Sequence, residues 1–468
     1  MLEQEQISAI DKLPVQLSIR LILDDLAFSN ALPGWFDAIS IDYSAREFII
    51  RQKLKAYLGG AAPPSCFSVL VPRKSGTKKL WTIPSVNDQI VLQALVSSFA
   101  EKLDEKCLDE RVFSYRYNRQ PERLALTDDS IAAWTRFKDE TKQRCINGGC
   151  LLQFDLQNAF QSINRKNFYD FLSSFASVPV LTLLERLLDS FSPESGLPMV
   201  SDSVFFLGNA YLSQVDKIVR KHAPKFIRFV DDYRVFDESR ERLENSVKRI
   251  TADLEKAGFR INPGKLKLGS AQEFLDVASK LRYGADIDEN GYVRPTVLRG
   301  LMRKEDIVST ISTSLDNPDK YLNEGFGRFQ LGVIRKFRFN EAVANIVKPD
   351  APTTGLTDLL SGDVSLVRRF YELLQTYSND QSEVWRTVWL LYVAKDFDVK
   401  TISEKDGNIA AQLKATLDSV RSSSGSASVV RLWADKNAGI RVRDDDVSRL
   451  HDLDYIQSGE LHCKECNK

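Results

Sequence analysis

The spacing of apolar residues changes several times along this chain. Val69-Leu70-Val71 and Leu80-Trp81-Thr82-Ile83 flank the basic stretch Arg73–Lys79, which predicts a β-hairpin. Ile90, Val91, Ala94, Leu95 and Phe99 then recur at helical spacing. Gly148-Gly149 breaks the chain before an apolar strand, Cys150 to Asp155. Residues 166–191 are helical in pattern, and Val204, Leu207, Tyr211, Val215 and Ile218 mark a further buried helix face. Ile227 to Phe236 reads as two short strands around Asp231-Asp232. Leu243, Val247, Ile250 and Leu254 predict a helix ended by Gly258. Beyond residue 300 the pattern is helical, with Leu373, Tyr377, Trp385, Trp389 and Tyr392 as its bulky apolar residues. Loops are expected near Leu32-Pro33-Gly34, at Gly60–Pro64 and at Ser422–Ser426.

Composition adds limits. A chain of 468 residues with 43% hydrophobic content is globular and long enough for about two to four domains. Lys+Arg and Asp+Glu both number 64, so any nucleic-acid surface has to be a local basic cleft. Six scattered cysteines show no disulfide framework and point to a reducing compartment. Met1–Gln6 lacks the apolar core of a leader, and no apolar run approaches the ~20 residues of a membrane span. A cytoplasmic chain without membrane contact is expected.

Two acidic positions carry the candidate chemistry. Asp155 ends an apolar strand, and Asp231-Asp232 lies between two apolar segments. A carboxylate at the end of a buried strand is costly unless a charge opposes it, and adjacent carboxylates repel unless they share a cation. Mg²⁺ takes a few carboxylates and leaves positions for water and phosphate. Two such ions about 4 Å apart stabilise the attacking and leaving oxygens of a phosphoryl transfer. A polar hairpin tip is the competing reading of Asp231-Asp232, but the flanks Arg228-Phe229-Val230 and Tyr233-Arg234-Val235-Phe236 are too apolar for one.

At these residues the sequence resembles reverse transcriptases. Phe154-Asp155-Leu156-Gln157-Asn158-Ala159-Phe160 resembles their first palm motif, and Gly196-Leu197-Pro198 the opening of their second. Phe229-Val230-Asp231-Asp232 is similar to their aromatic-x-Asp-Asp signature, and Gly258 through Lys265 to the motif that follows it. Val71-Pro72-Arg73-Lys74 through Ile83-Pro84, Asp88-Gln89 and Ser114-Tyr115-Arg116 resemble fingers motifs. Each piece is weak alone; their order over residues 69–275 carries the signal.

The resemblance implies an α+β right-hand polymerase. Its parts would be an N-terminal segment (1–44), fingers (45–150), a ferredoxin-like palm with the aspartates (151–294) and an α-helical C-terminal region (295–468). It implies RNA-directed DNA synthesis with two Mg²⁺ ions, Mn²⁺ being an alternative, held by Asp155, Asp231, Asp232 and the carbonyl of Leu156. Lys74 and Lys79 would meet the incoming triphosphate, although the family usually has arginine where Lys79 stands. Lys265 would give a proton to the leaving pyrophosphate, or else be a plain loop lysine. Phe160, five positions after Asp155, would exclude the 2′-hydroxyl and favour dNTPs; the alternative is an ordinary core residue. Pro198 and Met199 would lie near the nucleotide, but Met199-Val200 replaces the usual Gln-Gly, which puts ordinary templating in question.

Ser114-Tyr115-Arg116, Ala133-Trp134, Asp202 and the Arg228–Arg234 segment resemble the bacterial defence-associated and abortive-infection reverse transcriptases. That branch implies action against phage, often with a partner RNA, and in some members synthesis primed on the protein itself. An RNA template or structured RNA, a DNA product, and a homo-oligomer or partner protein are the partners expected. A retron or group II intron enzyme, and a catalytically silent RNA-binding scaffold, are the alternatives weighed. Cys463 and Cys466, with His451, would make an incomplete zinc site and read better as a frayed tail. Trp385 and Trp389 read as core, or alternatively as a stacking platform for bases.

Overall fold

A computed structural model describes residues 4–28, 43–61, 63, 67–72, 76–84, 86–120, 124–191, 196–275, 304–322, 360–383, 385–387, 389–390 and 397–421. Lys74, Tyr392, His451, Cys463, Cys466 and the stretches 32–34 and 422–426 lie outside them. Among the described residues, no helix is long and apolar enough to cross a membrane.

In chain order the elements are α1 (Gln4–Asp11), α2 (Val15–Phe28), α3 (Tyr43–Leu58), β1 (Phe67–Pro72), β2 (Lys78–Ile83), α4 (Val86–Ser97), α5 (Ala100–Cys107), α6 (Ser130–Ile146) and β3 (Cys150–Asp155). There follow α7 (Arg165–Leu172), α8 (Val178–Phe191), α9 (Asp202–Tyr211), α10 (Ser213–His222), β4 (Phe226–Phe229), β5 (Asp232–Asp237), α11 (Arg240–Lys256) and β6 (Lys267–Ser270). The apolar face from Val204 to Ile218 thus belongs to two helices that meet at Leu212, and α11 is capped by Ala257 and closed by Gly258 at φ 85°, the terminating glycine expected. Helices Lys304–Asp316, Val364–Ser378, Val399–Lys405 and Gly407–Arg421 come later in the chain.

Two compact units share the chain. One comprises Met1–Asp24, Tyr43–Cys66 and Val86–Tyr292; the other comprises Asp25–Asp42, Phe67–Ser85 and Val293–Lys468. The first holds a four-stranded sheet in the order β4-β5-β3-β6, antiparallel throughout. Its connectivity, strand-helix-strand-strand-helix-strand, is the ferredoxin-like pattern. Side chains alternate across each strand. Phe154 and Tyr233 are cross-strand partners whose rings stack at 4.9 Å, while Asp155 and Asp232, the next pair, point to the other face. α11, capped by the Ser239 side chain on the Arg242 amide, buries Leu243, Ile250 and Leu254.

In the second unit, β1 and β2 form the hairpin expected between Val69 and Ile83. Lys79 is a half-buried residue of β2 opposite Val71. Lys78 donates to the Ser382 carbonyl at 3.1 Å and pairs with Glu383 at 2.8 Å. Trp385 and Trp389 are buried, and no hydrogen-bond partner meets the Trp389 indole nitrogen among the described residues. Burial of both rings supports the core reading over a stacking platform.

Candidate active site

The site forms where two strand ends meet. β3 delivers Asp155 at its last residue, and β5 begins at Asp232, directly opposite. β4 and β5 are joined by Val230-Asp231 alone, because Phe229 already pairs with Asp232. Leu156 donates its amide to the Asp231 carbonyl at 3.1 Å, which ties the β3 end to the turn. The three aspartates therefore gather at one end of the sheet's two central strands.

Polar neighbours hold Asp155. The Lys265 ammonium donates to its Oδ2 at 2.7 Å, and the Asn262 amide donates to its carbonyl at 2.8 Å. The Gln157 amide completes this link by donating to the Arg260 carbonyl at 2.8 Å, so the segment after α11 lies along the Asp155–Gln157 backbone. Asp232 is gripped by both terminal nitrogens of Arg234, whose guanidinium sits 5.4 Å over the Phe137 ring.

The electrostatics follow from this crowding. Burial, and then the charge of Asp155, push the Asp231 carboxyl up to about 6. Burial also raises Asp232, with Arg234 pulling the other way. Burial works against the Lys265 ammonium, yet its hydrogen bond and attraction to Asp155 outweigh that and raise its pKa. Among the described residues, no three His, Cys, Asp or Glu side chains are drawn into a ready-made ligand cluster; Lys265 and Arg234 supply the counter-charge. The donors themselves, hard carboxylate oxygens with surplus negative charge, fit a divalent cation that prefers oxygen.

Around the acids lie the remaining expected residues. Phe160 is buried on the turn after β3, edge-on to Phe205 at 5.9 Å. Its ring lies against α9 where Gly208 leaves room: a Cβ there would stand 2.0 Å from the ring's Cε1. Leu197 donates its amide to the Phe160 carbonyl at 2.8 Å, so Gly196-Leu197-Pro198 is laid on this same turn. Gly196 takes φ 89° and approaches Gln161 so closely that a Cβ would sit 2.4 Å from its Cα. Pro198 is buried and Met199 half-buried. Leu156 is buried too, and the structure engages it through its amide.

Sequence reasoning passed over the support beneath the turn. Arg228, Asp216, Asn209 and Ser114 are all buried there and bonded to one another. A signal existed: Arg228 is a charge inside the apolar run Phe226-Ile227-Arg228-Phe229, and Asp216 follows an apolar residue of a buried helix face. Phe229 packs on Trp134 at 4.9 Å and on Phe137 at 5.7 Å, which explains why an aromatic precedes the turn.

Comparison with known families agrees with this geometry. Residues 71–283 match the family model described as reverse transcriptase (RNA-dependent DNA polymerase). No curated protein matches the chain. The matched stretch carries both acidic positions and implies a polymerase fold of palm and fingers, with an RNA template, a DNA product and dNTP substrates.

Proposed function

We infer that this chain, an RNA-directed DNA polymerase and so a nucleotidyltransferase by its matched domain, joins dNTPs to a primer end through two divalent metal ions. The observation that carries the reading is the cross-strand placement of Asp155 against Asp232, with Asp231 in the adjoining turn. Asp155 and Asp231 would bridge the ions, Asp232 would stand beside them, and the Leu156 carbonyl would complete the set. Bound there, Mg²⁺ supplies charge neutralisation and alignment for attack of a hydroxyl on an α-phosphate.

The chain's own groups have separate tasks. Lys265, within reach of the same carboxylates, would hand a proton to departing pyrophosphate. Phe160 would close the space a 2′-hydroxyl needs, which favours dNTPs over rNTPs. Lys74 and Lys79 would bind the triphosphate, and Pro198 and Met199 would flank the nucleotide. The divisions 1–44, 45–150, 151–294 and 295–468 stand as the proposed functional parts.

The biological setting proposed is antiphage defence in the cytoplasm, with a partner RNA and with templating or priming that differs from simple copying. The Ser114-Tyr115-Arg116 and Arg228–Arg234 segments, and Met199-Val200 in place of Gln-Gly, support it. Purified protein given Mg²⁺, a primed RNA and labelled dNTPs should extend the primer, and the Asp231→Ala/Asp232→Ala variant should not. Equal phage protection by cells carrying that variant would overturn the catalytic account of defence.

A further inference from the structure

The turn that presents Asp231 is not one its residues favour. Val230 has φ 55°, and Asp231 is not among the residues with positive φ. In a two-residue hairpin loop, a positive φ at the first position alone calls for glycine. A β-branched side chain there is strained, and such strain persists only where the surroundings over-determine the backbone.

The surroundings do so at both polar atoms of Val230. Its amide donates to the Ser114 hydroxyl at 2.7 Å, and its carbonyl accepts from Arg228 Nη1 at 2.9 Å. Arg228 is itself fixed. Its Nε and Nη2 donate to the two oxygens of Asp216, each at 2.8 Å, and Nη1 donates to Asn209 Oδ1 at 2.6 Å. Asn209 returns a bond from Nδ2 to the Ser114 carbonyl at 2.8 Å, and the Tyr233 hydroxyl donates to Asp216 at 2.9 Å. Arg228 is fully buried and Asp216 nearly so, which makes the ion pair worthwhile only as a satisfied network. The Ser114 segment is docked to β4 as well, since the Arg228 amide donates to the Arg111 carbonyl at 2.8 Å and the Phe113 amide to the Arg228 carbonyl at 3.0 Å.

We propose that Arg228 and Ser114 are positioning residues for Asp231: they clamp the Val230 peptide in its left-handed conformation and so set where the turn carboxylate meets Asp155. This inference rests on the catalytic reading of Asp231. Neither side chain need touch substrate; both act through the backbone. With the clamp loosened, Val230 relaxes toward negative φ and Asp231 leaves its place, whereas the dNTP contacts made elsewhere are unaffected.

A double-mutant cycle in the full-length protein tests this. Ser114→Ala should lower kcat about tenfold, the worth of roughly one hydrogen bond to a strained backbone, with KM for dNTP within about twofold. In a Val230→Gly background the same substitution should cost less than about twofold, because glycine takes positive φ unaided. Arg228→Lys, which keeps the charge but loses the fork, should follow the same pattern. Should Arg228→Lys fail to fold, the Ser114 cycle decides. An equal loss from Ser114→Ala in both backgrounds, or a loss confined to KM, overturns the positioning role. Retained activity in Asp231→Ala/Asp232→Ala would instead overturn the catalytic reading beneath it.

Discussion

The two halves of the acidic site are built on opposite principles. Asp155 stands at the end of an ordinary strand, and its charge is met by Lys265, which is largely exposed at 62%. Asp231 stands in a strained turn, and the cation behind that turn, Arg228, has no exposure at all. An exposed cation can leave and be replaced by another ion at little cost, since it is rehydrated as it goes. A buried one cannot, because its loss strands a charge in the core. One arm of the site is therefore adjustable and the other fixed.

Four substitutions or conditions would sharpen or break that contrast. The largest effect is expected from Arg228→Met, which leaves Asp216 unpaired: about 3–5 kcal/mol of unfolding free energy lost in denaturant melts. A loss below about 1 kcal/mol would mean that the fixed arm is not fixed by this pair. Phe160→Ala should cost about 3 kcal/mol by opening a cavity beside Gly208, and should admit rNTPs in single-nucleotide incorporation assays. Discrimination unchanged from the parent would leave Phe160 as a packing residue only.

Lys265→Ala comes next. It should leave the melting temperature nearly unchanged yet slow single-turnover incorporation by about a hundredfold or more, in the range of general acid catalysis. A drop in stability without a drop in rate would reverse the assignment of the adjustable arm. The smallest effect concerns pH. Asp231 is held up to about 6 in the folded chain, against an ordinary 3.8. A raised folded pKa contributes stability that is complete below the ordinary value and is lost as pH rises through about 6. A divalent ion removes that penalty, so Mg²⁺ should raise the melting temperature more at pH 7.5 than at pH 5.5. An equal rise at both would separate Asp231 from ion binding.

Much of the sheet was legible in the sequence because local rules agree there. The Gly148-Gly149 break, the apolar run to Asp155 and the paired strands about Asp231-Asp232 all appear where the pattern places them. Trp385 and Trp389 fall in the interior, as their one-turn spacing suggested. What escaped was non-local. Ser114 reaches Val230 across 116 positions, and no periodicity reports such a pairing. Arg228 could be noticed as an odd charge in a strand, but its partner Asp216 lies on a helix whose pattern only says that it is buried. The left-handed Val230 was also hidden, since valine is the residue least expected there. The helix face from Val204 to Ile218 was read as continuous because apolar spacing does not register the step at Leu212.

Phe160 and Gly208 show how such long-range fits constrain a lineage. A methyl group added at Gly208 would strike the buried Phe160 ring and force it to shift, and a smaller residue at Phe160 would leave a hole against α9. Neither position can drift first without loss. Across descendants of this sequence the two should change together, bulk at one traded for bulk at the other, and single departures should be rare.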